Sequence, residues 1–140
     1  MFLGRDVLLD AGPLIGVIDR RDQWHELVGR AWPALAARCI TTEAVVVEAS
    51  HAIHRRRADP ALPLEYLLRL EIPVFALHLP LHEQCVHLMR RYADVPMDYA
   101  DATLVALADR LQLTRVFTTD RKGFTAYRGA RGVALEVLPH

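Results

Sequence analysis

Short apolar runs alternate along this chain with longer stretches of helical periodicity, and each run stops at residues that turn the backbone or cap a helix. Val7-Leu8-Leu9 ends at Asp10-Ala11-Gly12-Pro13, where glycine allows a tight turn and proline suits the first position of a helix. Cys39-Ile40-Thr41, Val74-Phe75-Ala76-Leu77, Arg115 to Thr118 and Val133 to Leu138 read as further strands. Strands separated by helices predict a mostly parallel sheet covered on both faces, a three-layer α/β/α sandwich.

The helices carry local signals of their own. Trp24, Leu27, Val28, Ala31, Trp32 and Leu35 recur at three- and four-residue spacing, and Asp22 is placed to cap that helix. Thr41 or Thr42 is expected to cap a helix running to about Arg57. The chain breaks around Pro60 and Pro63, and Leu64, Leu67, Leu68 and Glu71 suggest a short helix beyond. Leu81 to Tyr92 reads as helix, and Asp98 caps another from about Tyr99 to Leu111.

At 140 residues the chain has room for one domain, residues 1–140, burying roughly 68–70% of its unfolded surface. Its 52% hydrophobic and 24% charged residues describe a globular protein, not a disordered one. Cys39 and Cys85 lack metal-site spacing and read as small buried residues, which suits a reducing, cytoplasmic setting. Arg5 and Asp6 interrupt Met1 to Leu9, arguing against a signal segment, and no apolar run is long enough to span a membrane. Seventeen basic residues balance seventeen acidic ones, so any contact with nucleic acid must be local.

The placement of certain acids is the informative feature. Asp10 and Asp120 each follow an apolar strand, at the sheet edge where open α/β folds bind ligands, although a turn aspartate explains either alone. Glu48 has Ala44, Val45, His51 and Ala52 as helical neighbours, so it falls on the apolar side of its helix and needs a partner there. Glu43, at the start of the same helix, is explained by the macrodipole. Asp101 opens an apolar stripe continuing through Leu104, Val105, Ala108 and Leu111; Asp109 lies off that stripe, and Asp98 is most simply the helix cap.

Two carboxylates about 4 Å apart repel by roughly 4 kcal/mol at an effective dielectric of 20, so four converging acids call for a cation. All-oxygen ligation favours Mg2+ or Mn2+ over zinc. The seven histidines form no tight ligand motif, and His78, His82 and His87 read as helix-face or surface residues.

Several segments together resemble the PIN domain, and within it the VapC-type toxins of bacterial toxin–antitoxin pairs. They are Leu8-Leu9-Asp10-Ala11-Gly12-Pro13-Leu14-Ile15, Thr41-Thr42 with Glu48-Ala49, Asp98 to Ala108, and Val116-Phe117-Thr118-Thr119-Asp120, in order over nearly the whole chain. The resemblance implies a metal-dependent endoribonuclease in which Asp10, Glu48, Asp101 and Asp120 match an acidic quartet that holds Mg2+ or Mn2+. It implies that Thr118 is the hydroxyl residue beside the last acid. An RNA substrate, a homodimer and a cognate antitoxin follow from the same likeness. The chain departs from the pattern at Gly123, where relatives frequently carry another acid before the aromatic that here is Phe124.

Hydrolysis of a phosphodiester requires an oriented water and neutralised phosphate charge, which metal-holding carboxylates supply as ligands and water-orienting bases. Arg55, Arg56 and Arg57 read first as a solvated helix end and second as contacts to RNA phosphates. Two rival classes stand beside the nuclease. A phosphoacceptor domain would want paired acids after the first strand and a well-placed lysine, whereas Asp10 has no acidic neighbour and Lys122 is poorly placed. A catalytically inactive PIN-like module for RNA binding or assembly is the stronger rival, and metal-dependent cleavage of RNA separates it from an enzyme.

Overall fold

A computed structural model describes residues 4–140; Met1 to Leu3, part of the stretch weighed above as a signal segment, lie outside the described residues. Five parallel strands, β1 (Val7–Leu9), β2 (Cys39–Thr42), β3 (Val74–Phe75), β4 (Arg115–Phe117) and β5 (Glu136–Leu138), form a sheet in the order β3-β2-β1-β4-β5. β1 is closed at once by the polar Asp10 and β4 by Thr118-Thr119-Asp120, while β3 stops at Phe75, short of the Ala76-Leu77 expected to extend it, and β5 takes up only Glu136–Leu138 of the expected 133–138 run. The predicted α/β/α sandwich is thereby observed.

Among the described residues seven α-helices cover the sheet: α1 (Ala11–Ile18), α2 (His25–Leu35), α3 (Glu43–Arg55), α4 (Leu62–Arg69), α5 (Leu79–Arg91), α6 (Tyr99–Leu111) and α7 (Arg121–Ala126). α1 packs on α2 and α3, and α3 on α4, while α5 packs on α6. The chain steps outward from β1 through β2 to β3 and then returns past β1 to β4 and β5, so right-handed crossovers place α1 to α4 on one face and α5 to α7 on the other. The order reverses at the central strand β1, and the crevice at the carboxyl ends of β1 and β4 is where such sheets bind ligands.

β1 is completely buried, as are Val116 and Phe117 of β4. In α6 every residue from Ala100 to Ala108 is buried. A helix enclosed all round needs small residues where its neighbours approach, and Ala100, Ala102, Ala106 and Ala108 supply them. The apolar stripe read from Asp101 onward was therefore only part of a fully buried surface.

Several local expectations are corrected. Trp24, not Asp22, occupies the N-cap of α2; the Asp22 carboxylate accepts the Trp24 amide at 3.0 Å and pairs with Arg56 at 2.8 Å, because a buried acid takes the strongest donor within reach. Arg56 also binds Asp19 at 2.9 Å, so it ties the end of α3 to the end of α1 and is not free for RNA; Arg55 and Arg57 remain exposed. Leu67 is a core residue, whereas Leu68 points outward. Cys39 and Cys85 are buried free thiols, pushed up to about 12 and about 11 by desolvation, as inert packing residues should be. Among the described residues no helix is long and apolar enough to cross a membrane.

Candidate active site

Sheet hydrogen bonds run directly into the crevice. Leu9 pairs with Phe117, so the next residues on the two strands meet: the Asp10 amide donates to Phe117 O at 3.0 Å, and the Thr118 amide donates to Leu138 O at 3.1 Å. The backbone amides of Asp10 and Thr118 are thus both held by the sheet. The Thr118 hydroxyl donates to Asp10 Oδ2 at 2.7 Å and accepts the Asp120 amide at 2.9 Å. Asp10 Oδ1 accepts the Ala11 amide at 2.8 Å, capping α1, and Asp120 Oδ1 accepts the Gly123 amide at 3.0 Å, capping α7.

The other acids arrive on helices. Thr42 caps α3, and its hydroxyl lies 2.8 Å from that of Thr103 on α6, which brings Glu48 and Asp101 to the same end of the sheet. Asp98 and Asp101 form a reciprocal cap, the Asp101 amide donating to Asp98 Oδ1 at 2.9 Å and the Asp98 amide to Asp101 Oδ2 at 3.3 Å. Asp101 therefore has the bland capping role as well as a place in the crevice.

Two glycines permit this crowding. A Cβ on Gly12 would stand 2.1 Å from Thr119 Oγ1, so the start of α1 can approach the β4–α7 turn only without a side chain. A Cβ on Gly123 would meet Asp120 Oδ2 at 2.6 Å and Tyr127 Oη at 2.9 Å. An acid there, as in the resembling pattern, would require Asp120 or Tyr127 to shift.

Electrostatics join five carboxylates. Burial pushes Asp10 up to about 6 against the opposing hydrogen bonds from Thr118 and Ala11, with the charges of Asp120 and Asp98 adding to the rise. Burial also pushes Glu48 up to about 7, reinforced by Asp10, Asp98 and Asp120. Asp101 moves in the same direction through burial and the fields of Asp10 and Asp98. Tyr127 is held upward by burial and then by Asp101, Asp120, Asp98 and Asp10, so its phenol stays protonated. Asp98, read as a cap, is also part of this field.

Glu48 Oε1 is buried without a hydrogen-bond partner, which ordinarily costs about 1–3 kcal/mol. Among the described residues no three acids, histidines or cysteines already stand in a ligating cluster. The carboxylates share one field without sharing one point, as mutual repulsion dictates. Their all-oxygen donor set and the orphaned Glu48 oxygen fit a hard divalent cation.

Asp109 lies off the buried run of α6, as its position predicts. Its Oδ2 accepts Gln84 Nε2 at 2.7 Å and the Ala130 amide at 2.5 Å, so it fastens the 128–132 turn. Sequence reasoning missed Tyr127, whose hydroxyl donates to Pro96 O at 2.8 Å beside the crevice.

The PIN-domain family model matches residues 7–130. Ribonuclease VapC26 of Mycobacterium tuberculosis is 26% identical over 145 residues, covering 95% of this chain and all of that protein. The fold is similar to the crystal structure of M. tuberculosis VapC20, described as a sarcin-ricin loop cleaving toxin, with a TM-score of 0.70 at 19% identity over 79% of this chain and 86% of that one. It is also similar to VapBC2 from Rickettsia felis, solved with a DNA fragment from its promoter, with a TM-score of 0.65 at 15% identity over 95% and 98% of the two chains. With the family model spanning residues 7–130, most of its length, this chain belongs to the PIN-domain family.

Proposed function

We propose that this chain is a divalent-metal-dependent endoribonuclease and the toxin of a toxin–antitoxin pair, acting in the cytoplasm as one 140-residue catalytic unit. The observation carrying the metal reading is the buried, unpartnered Glu48 Oε1 beside Asp10, Asp98 and Asp120. An acid so placed is costly in an inert module and useful at a cation site. The ribonuclease and toxin names of the similar proteins support the RNA and toxin parts.

Asp10, Glu48, Asp101 and Asp120 are the residues assigned to hold Mg2+ or Mn2+, which supplies Lewis-acid activation of water and neutralises phosphate charge. Thr118 fixes the Asp10 carboxylate and the Asp120 backbone through one hydroxyl, so two ligands move as a unit. The capping bonds to Ala11, Asp98 and Gly123 restrict the rotation of Asp10, Asp101 and Asp120. Glu48, with one oxygen free, is the carboxylate best able to orient a water and accept its proton.

Two partner proteins belong to the same reading. Trp24, Leu27, Leu64, Leu68 and Leu70 leave apolar surface exposed on α2 and α4. Such a face fits a small antitoxin, in keeping with the toxin–antitoxin complexes among the similar structures, and exposed apolar surface of this kind is also what a homodimer would cover. Incubation of the purified protein with defined RNAs in magnesium, manganese or chelator tests the proposal. Metal-dependent cleavage supports it, and binding without cleavage under every metal condition supports the inactive PIN-like module instead.

A further inference from the structure

We propose that Tyr127 is a positioning residue for the acid crevice, joining the turn that carries Asp98 and Asp101 to the helix that Asp120 caps. The inference rests on the metal reading above.

Tyr127 is completely buried and packs edge-on against Phe124 and Tyr92, with ring centroids 5.3 and 5.2 Å away. Phenylalanine would fill that stack equally well, so the hydroxyl needs its own explanation. It donates to Pro96 O at 2.8 Å. Pro96 lies two residues before Asp98, which caps α6 and sets Asp101; Tyr127 directly follows α7, capped by Asp120. One partly buried hydrogen bond therefore ties the stretch leading into α6 to the end of the short helix α7, the two helices whose first turns deliver three of the five acids.

The same oxygen forms a wall beside Asp120. A Cβ on Gly123 would stand 2.9 Å from Tyr127 Oη and 2.6 Å from Asp120 Oδ2, so the bare glycine lets phenol and carboxylate share one space. Where the resembling pattern frequently has an acid, this chain has a phenol held in place from the opposite wall. Tyr127 touches no reacting group in this scheme; it acts through Pro96 and Asp120.

The test measures Mn2+ binding to the intact apo protein by calorimetry, alongside thermal unfolding. Tyr127→Phe is expected to weaken Mn2+ about tenfold, the lower end of what supporting hydrogen bonds contribute at metal sites. Tyr92→Phe is the structural control. Its hydroxyl accepts the Arg128 amide at 2.8 Å and donates to Arg128 O at 3.2 Å within the same aromatic stack, but touches no acid. It is expected to lower the melting temperature and leave Mn2+ affinity unchanged. Unchanged affinity in Tyr127→Phe, or an equal loss in both variants, would overturn the proposal while leaving the metal reading standing. Absence of Mn2+ binding by the wild type would overturn both. Should Tyr127→Phe not fold, Gly123→Ala presses on the same contact without altering the ring, and normal Mn2+ affinity in that variant overturns the proposal.

Discussion

The Thr118 hydroxyl donates to Asp10 Oδ2 at 2.7 Å while accepting the Asp120 amide at 2.9 Å, so one side chain sets the spacing between the acids that end β1 and β4. Thr118→Val keeps the shape and removes both bonds, leaving a buried carboxylate oxygen unpaired. Stability is expected to fall by about 1–3 kcal/mol in thermal unfolding. Metal affinity is expected to fall about 10–100-fold in calorimetry, and Thr118→Ser is expected to restore most of both.

The apo protein is expected to lose stability as pH rises from about 4 to 8. Asp10 and Glu48 are raised to about 6 and about 7, and Asp101 moves the same way, so in this window these three carboxyls hold more protons in the folded chain than in the unfolded one, outweighing the lowered Asp6, Asp19 and Glu136, whose opposite effect is confined to the acid end. The contribution of the three raised carboxyls is fully present below the unfolded carboxylate range and is lost as pH climbs through the folded values. Urea unfolding at several pH values checks this, and saturating Mg2+ should flatten the decline. A stability that rises steadily from pH 4 to 8 in chelator would contradict the raised values.

Much of this architecture is legible because its signals are local. Asp98 and Leu111 bound α6 through a cap and a run of helix formers, and Asp10 and Asp120 stand where apolar runs end. Glu48 stands out because its helical neighbours are apolar, and its orphaned oxygen is the structural counterpart of that anomaly. Other features depend on distant partners. Asp22 reads as a cap until Arg56, 34 residues later, claims its carboxylate. The six residues of α7 carry too few turns to show a period, and the bond from Tyr127 to Pro96 crosses 31 positions.

Millimolar magnesium is expected to raise the melting temperature above that in chelator, because an ion that binds only the folded state at about 100 times its Kd adds about 2.7 kcal/mol. Asp10→Asn should melt higher than wild type in chelator near neutral pH, having lost a buried charge, and should lose most of the response to magnesium. Coincident curves with and without magnesium, together with an unshifted Asp10→Asn, would show that the acids do not act together.

A second copy of this chain is expected in solution at micromolar concentration. Light scattering should give about twice the 15.8 kDa of one chain. Leu68→Glu and Leu70→Glu, both on exposed positions, should leave the fold intact and weaken association with an antitoxin or a second copy. A strictly monomeric mass contradicts the dimer.

The most direct measurement is metal-dependent RNA cleavage by Glu48→Gln and Asp101→Asn beside Glu83→Gln, a substitution on the exposed face of α5. The first two keep shape and hydrogen-bonding capacity while removing charge from the crevice, so cleavage should fall by at least about 100-fold with the apo fold as stable as wild type or more so. Glu83→Gln should cleave normally. Near-normal cleavage by Glu48→Gln and Asp101→Asn, or an equal loss in Glu83→Gln, would contradict the assignment of these acids to the chemistry.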